Sequence, residues 1–238
     1  MNLVLDIGNT NTKLAIFQNN KMIKHIIVKR LSLISLKKMI KNYSIKNICC
    51  SYTGSPFDWI ANFCKKKQIK YLKLDSRCNL PIKLDYQTPK TLGSDRIALC
   101  VGAHMKYPGN KLIIDLGTCL TYDMIVDDVY LGGRISPGFA MRLLSLHQKT
   151  HGLPKLTPKK TDLLIGKTTK DSILLGVYDG LILEIEGVIQ KYKSRYSNIL
   201  VILTGGDLQF FKKTLKNINF STPYLLMEGL NYIIACND

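Results

Sequence analysis

One nine-residue pattern occurs twice in the chain. Val4-Leu5-Asp6-Ile7-Gly8-Asn9-Thr10-Asn11-Thr12 and Ile113-Ile114-Asp115-Leu116-Gly117-Thr118-Cys119-Leu120-Thr121 both contain D-x-G-x-x-x-T after an apolar run. The two copies lie 109 residues apart in a chain of 238, close to half its length. Either copy alone is explained by an ordinary hairpin turn, since Asn, Asp, Gly and Thr are common turn formers. Two copies with the same flanking strands, half a chain apart, imply a duplicated α/β unit with a cleft between the halves. The expected domains are residues 1–107 and 108–238.

The hydrophobic pattern supports this division. In the first half it predicts strands at 2–7, 12–17, 22–28, 45–52 and 69–74, with helices over 31–41, 56–66 and 94–106. Residues 78–91, with Pro81 and Pro89, read as a loop. In the second half the strands fall at 111–116, 120–126, 129–135 and 198–203, and the helices at 137–149, 168–193, 207–216 and 226–236. A two-residue Asp127-Asp128 connection joins two of those strands, and residues 151–161 form a loop. The fold class is therefore α/β, with mixed sheets flanked by helices.

Composition excludes several classes. Apolar residues make up 46% and charged residues 21%, too apolar for a disordered chain. No apolar run approaches the roughly 18 residues of a membrane span, so no membrane association is expected. The first apolar run meets Asp6, which argues against a signal peptide. Seven cysteines without a C-x-x-C pair point to reduced thiols in the cytoplasm, not to disulfides or zinc. The four histidines (25, 104, 147 and 151) show no metal spacing. The net charge is +17, but lysines dominate its 34 basic residues and are scattered along the chain. Specific phosphate or base recognition favours the planar fork of arginine. No specific nucleic acid is expected, and the lysine excess reads as the codon bias of an AT-rich genome.

The repeat itself reads as phosphate chemistry. Each Asp sits at the carboxyl end of a strand, where α/β folds bind ligands. Gly8 and Gly117 let the backbone turn and bring N–H groups to a phosphate. Thr10, Thr12, Thr118 and Thr121 add hydroxyls, and Asp6 and Asp115 suit a cation held directly or through water. Neither a Walker A loop nor G-x-G-x-x-G occurs. A third element, Leu92-Gly93-Ser94-Asp95-Arg96, opens a helix. A cap explains Ser94 and the helix dipole suits Asp95, but Arg96 is a cation at the wrong end for that dipole. An Asp beside an Arg at a helix start suits a general base next to an anion-binding group.

With these residues in view, the chain resembles the type III pantothenate kinases, within the acetate and sugar kinase/Hsp70/actin superfamily. Asp6 to Thr12 resemble the first ATP loop, and Asp115-Leu116-Gly117-Thr118 the second. Tyr86, Pro89 and Gly93-Ser94-Asp95-Arg96 resemble the substrate segment, with Ser94 in place of the usual Ala. Tyr130 to Gly138, Ile165 to Thr169, Thr204-Gly205-Gly206 and Leu226 to Leu230 match the remaining motifs in order. Cys119 and Leu120 depart from the usual second loop.

The resemblance implies duplicated ribonuclease H-like (actin-like ATPase) domains and ATP-dependent phosphorylation of pantothenate to 4′-phosphopantothenate, the first step of coenzyme A synthesis. It implies that Asp6, Ile7, Gly8, Asn9, Thr10, Asn11, Thr12, Lys13 and Thr118 bind ATP. Asp95 would be the catalytic base, with Tyr86, Gly93, Ser94, Asp95, Arg96 and Thr169 around pantothenate. Asp6 would orient Mg²⁺ through water, and Asp115 would hold a monovalent cation, K⁺ or NH₄⁺. The family is dimeric. Independently, residues 173–189 are apolar nearly all round the helix, with Gly176 and Gly180 four apart, which suits a subunit interface. The rival readings are a kinase of another small alcohol and an inactive relative with a regulatory or nucleic-acid-binding role.

Overall fold

Strand β1 (Asn2–Ile7) is apolar on both faces and becomes the centre of a sheet. The structure is a computed structural model that describes residues 1–8, 10–52 and 57–238. Asn9, and the proline expected in the first turn of the 56–66 helix, lie outside the described residues. The chain divides into two units: residues 1–108, 128–131 and 224–238 form one, and residues 109–127 and 132–223 the other.

In the first unit β1, β2 (Thr12–Gln18) and β3 (Lys21–Val28) form an antiparallel meander. Helix α1 (Leu33–Ile40), β4 (Asn47–Tyr52), α2 (Asp58–Lys67) and β5 (Lys70–Lys73) follow, with β4 and β5 parallel to β1. The strand order is β3-β2-β1-β4-β5. A strand alternates its faces. Leu3, Leu5 and Ile7 therefore join Leu36, Met39, Ile60 and Phe63 of α1 and α2 in one core. Asp6 falls on the opposite face. The segment read as a loop holds a short strand β6 (Lys83–Leu84), parallel to Val129–Tyr130, and a 3₁₀ turn at Pro89–Thr91. Helix α3 (Ser94–Lys106) completes the first run of elements.

The sequence division assigns the C-terminal helix to the second half, whereas α7 (Leu225–Cys236) packs in the first unit, against α3, β1 and β4. Two glycines permit this. A side chain at Gly229 would overlap the Ala98 carbonyl, and one at Gly102 would crowd the Leu225 carbonyl and Gly229. Apolar burial of Leu226, Leu230, Ile233 and Ile234 supplies the driving force.

The second unit carries β7 (Lys111–Leu116), β8 (Cys119–Val126), the body of β9 (Val129–Pro137), α4 (Phe139–Lys149), α5 (Thr169–Lys193), β10 (Leu200–Thr204), α6 (Leu208–Phe211) and β11 (Phe220–Ser221). Its strands run β11-β10-β7-β8-β9. Leu112, Ile114, Tyr122 and Met124 pack on Phe139, Tyr178, Leu181 and Phe211. Asp127 and Asp128 both have positive φ (48° and 63°), the conformation of a type I′ hairpin. The helix expected over 207–216 is only four residues long. The Lys216 N–H donates to the Glu186 carboxylate at 2.7 Å instead of continuing the helix, and the Tyr178 hydroxyl lies 3.0 Å from that of Thr214.

Candidate functional site

Asp6 is 7% exposed and stands opposite Lys13 on β2 and Ser51 on β4. The Lys13 ammonium lies 3.3 Å from its Oδ2. Burial raises the Asp6 carboxyl above the ordinary carboxylate range; Lys13 opposes that shift and the Asp95 carboxylate adds to it. Asp6 and Asp95, far apart in sequence, therefore share one electrostatic site. Asp95 reaches it from the first turn of α3, where its Oδ1 accepts the Arg96 N–H at 2.9 Å. A side chain at Gly93 would overlap the Asp95 carboxylate. Ser94 is buried with its hydroxyl 3.0 Å from that of Ser51, so the residue that departs from the usual Ala ties α3 to the end of β4. Arg96 is 6% exposed. Tyr86 is half-buried, its ring 5.9 Å from that of Tyr130.

Neither Gly8 nor Gly117 has positive φ among the described residues. Their N–H groups are spent inside the turns, Gly8 on the Asn11 carbonyl and Gly117 on the Cys119 carbonyl, each at 3.1 Å. Thr10 and Asn11 are exposed, whereas the Ile7 side chain lies in the core and leaves only its backbone for a ligand.

The two hairpins also differ by one residue. Asp6 pairs with Lys13, but Asp115 pairs with Thr121. The sequence repeat aligns Thr121 with Thr12; the sheet register aligns it with Lys13. A slip of one residue exchanges the faces of a strand. Hence Thr12 lies opposite Ile7, away from Asp6, while Thr121 sits beside Asp115 and Leu120 enters the core with 0% exposure. The unusual Leu120 is a core residue.

Around Asp115 the second unit assembles oxygen atoms. Thr121 and Thr204 flank it in register on the neighbouring strands. Gly205 has φ +105°, and a side chain there would overlap Leu116 and stand 2.5 Å from the Asp115 carboxylate. Gly138 donates its N–H to the Thr118 carbonyl at 3.2 Å, and a side chain there would collide with the turn. These two close approaches give the Thr204-Gly205-Gly206 and Pro137-Gly138 motifs their physical reason. Carboxylate and hydroxyl oxygens suit a hard cation. No group of three His, Cys, Asp or Glu forms a metal cage among the described residues.

Thr118 is exposed on its turn, and Thr169 is the exposed first residue of α5, capped by Thr168. Three features escaped the sequence reading. Asp207 follows the glycine pair, donates its N–H to the Leu116 carbonyl at 2.9 Å, and is pushed up in pKa by burial. The Thr-Gly-Gly-Asp run was its only signal. Glu184 accepts from Tyr122 at 3.1 Å and Ser136 at 3.3 Å and pairs with Arg142, a set that spacing alone does not connect. Lys29 and Arg30, just beyond β3, line a cavity with the first turn.

Helix α5 accounts for part of its apolar circumference internally. Ile173, Val177, Leu181, Ile185 and Val188 lie in the core of their unit. Leu183 is 72% exposed, and the space over Gly176 and Gly180 is open among the described residues.

Comparison with known proteins identifies relatives of the whole chain. The family profile "Type III pantothenate kinase" matches residues 2–191. A type III pantothenate kinase of Christiangramia forsetii is 45% identical over 242 aligned positions, covering 100% of this chain and 99% of that protein. Among solved structures, a Campylobacter jejuni chain described as a Baf family transcriptional activator superposes with TM-score 0.64 at 21% identity, covering 98% of this chain and 97% of that one. The inorganic polyphosphate/ATP-glucomannokinase of an Arthrobacter strain superposes with TM-score 0.52 at 13% identity, covering 99% and 98%. Those two likenesses carry the fold, which is the duplicated ribonuclease H-like fold of the actin-like ATPases. The chain belongs to the type III pantothenate kinase family.

Proposed function

We propose that this protein transfers the γ-phosphoryl group of ATP to the primary hydroxyl of pantothenate, giving 4′-phosphopantothenate, the first step toward coenzyme A. Full-length similarity to a named type III pantothenate kinase supports the substrate. The observation that supports the chemistry is the electrostatic coupling of Asp95 to the buried Asp6, with Lys13 paired to the latter. The Asp95 carboxylate accepts the hydroxyl proton as the new O–P bond forms, and the β–γ bridging bond breaks with its electron pair leaving on ADP. Phosphoryl transfer of this kind depends chiefly on alignment and charge compensation.

In this reading Asp6 to Lys13, Asn9 included, hold the phosphates on one side and Thr118 on the other. Tyr86, Gly93, Ser94, Arg96 and Thr169 hold pantothenate. Mg²⁺, when bound with the nucleotide, neutralises phosphate charge; Asp6 orients it through water. Asp115 with its neighbouring hydroxyls holds K⁺ or NH₄⁺. Residues 1–107 and 108–238 descend from one duplicated domain. The protein works in the cytoplasm as a homodimer joined through the exposed face of α5. No described helix is long and apolar enough to cross a membrane.

A coupled ADP-release assay tests this function. ADP should appear only with pantothenate present, and faster with K⁺ or NH₄⁺ than with Na⁺. Release indifferent to pantothenate, or greater with sugars and other small alcohols, would overturn the substrate assignment.

A further inference from the structure

Helices α1 and α2 cover one face of the first unit's sheet, and a cavity of about 500 Å³ opens between them. Its volume is in the range of small-molecule sites, roughly 300–1,000 Å³. Strands β3, β4 and β5 run parallel to one another, so the two helices that connect them run in the same direction. Residues four apart stand on one flank of a helix. On α1, Leu33 is followed by Lys37; on α2, Trp59 and Phe63 are followed by Lys67, and Lys66 lies one turn after Asn62. Both helices therefore place apolar side chains toward one end of the cavity and lysines toward the other. Leu31, just before α1, adds to the apolar end. Asp6 falls on the opposite face of the sheet, and no residue assigned above to ATP or pantothenate lines this cavity.

The charge here is one-sided. Among the described residues the lining holds three lysines and no carboxylate. Lys37, Lys66 and Lys67 are exposed, and none of their side chains has an ion pair or hydrogen bond among the described residues. Residues 7–74 carry fourteen Lys and Arg and one acid, Asp58, so this part of the chain holds most of the net charge of +17. Uncompensated cations beside an exposed Leu33 and a half-buried Trp59 match a ligand that is anionic at one end and apolar along the rest. Lysine is a point charge without the planar fork of arginine. The head group is then held for its charge, and a single carboxylate suffices. The lysine stems extend the apolar wall while their ammonium groups stay in water.

We propose that the cavity between α1 and α2 binds a medium-chain carboxylate, with its chain against Leu33, Trp59 and Phe63 and its head group among Lys37, Lys66 and Lys67. This site is independent of the kinase reading, since none of its residues has a part in phosphoryl transfer there.

Trp59 is the one tryptophan of the chain, so its emission reports on this cavity. Titration of the full chain with decanoate, kept below the concentration at which it forms micelles, should change that emission saturably. Acetate, which lacks the chain, should not change it, and decanol should bind more weakly than decanoate. The Lys37→Gln/Lys66→Gln double variant should bind decanoate about fivefold more weakly, the combined effect of two solvent-exposed ion pairs, while its affinity for decanol stays within twofold of the parent's. Leu33→Asn should weaken both ligands. Lys213→Gln, exposed in the second unit, should bind decanoate as the parent does. All the replaced side chains are exposed, and a thermal melt checks that each variant is folded. Emission indifferent to decanoate, or a double variant within twofold of the parent for decanoate, would overturn the proposal. Displacement of decanoate by Mg²⁺ with a non-hydrolysable ATP analogue would assign the cavity to the donor site and overturn it equally. So would a response to phosphatidylglycerol vesicles without one to decanoate, the mark of a membrane-docking face, or a change with protein concentration alone, the mark of a second copy of the chain in the cavity.

Discussion

Asp6 shows how a single residue sets function against stability. Its folded-state pKa is raised, so the folded chain holds a proton more tightly than the unfolded chain does. Stability from this group is present below the unfolded value of 3.8 and is lost as pH rises through the folded value. At neutral pH the buried charge is a cost. Asp6→Asn is accordingly expected to raise the Tm, by about 2–4 °C for each kcal/mol recovered, while abolishing phosphoryl transfer; a melt paired with an ADP-release assay checks both. If Asp6 orients Mg²⁺ as proposed, it must be ionised to act, and the same upward shift should move the acid limb of the rate profile to higher pH. Asp95→Asn removes the proton acceptor and should cost on the order of 10²-fold or more in turnover, with little change in the Tm. Ser94→Ala restores the residue usual in the family yet leaves the fully buried Ser51 hydroxyl without its 3.0 Å partner. It should cost about 1–3 kcal/mol in chemical denaturation, and Ser51→Ala/Ser94→Ala should recover part of that loss.

At the level of elements, the helix pair α3 and α7 holds the turn that bears Asp95 in place. Asp95 is the second residue of α3, and the body of that helix is fixed by α7 through Gly102 and Gly229. Gly229→Ala forces a methyl group into the Ala98 carbonyl and should cost about 1–3 kcal/mol. Because it displaces α3, which carries Asp95, its kcat should fall as well. A Tm unchanged by the substitution would refute the close contact. The hairpins teach the complementary lesson. One residue fewer in the β7–β8 turn exchanges the faces of β8, so Thr121, not Leu120, stands by Asp115.

For the whole molecule, the exposed apolar surface of the second unit is the feature to explain. Leu183, Leu164 (90% exposed) and Ile165 (70%) face solvent in the single chain. Apolar exposure of this kind marks interaction surfaces when contiguous. The proposed dimer predicts that Leu183→Glu halves the mass measured by sedimentation. Where Thr169 serves a neighbouring subunit's site, as the family resemblance implies, activity falls with dissociation. A variant that stays dimeric would place the interface elsewhere.

The sequence alone determined the duplication, nearly all the strands and long helices, the family, and the motifs in which the candidate site residues lie. Those properties reside in local pattern: apolar period, turn residues, and motifs whose spacing is covalent. Tertiary structure decided which of those residues meet. The alignment of the repeats could not reveal the one-residue slip, because hairpin register depends on hydrogen bonds across strands. The expected 207–216 helix ends at Phe211, and the Lys216 N–H bonds the Glu186 carboxylate, thirty residues earlier in the chain. The fold also places Lys29 and Arg30 around one cavity with Gly8, Thr10, Asn11 and Thr12. Contacts between residues distant in sequence are selected by packing, which no local pattern encodes.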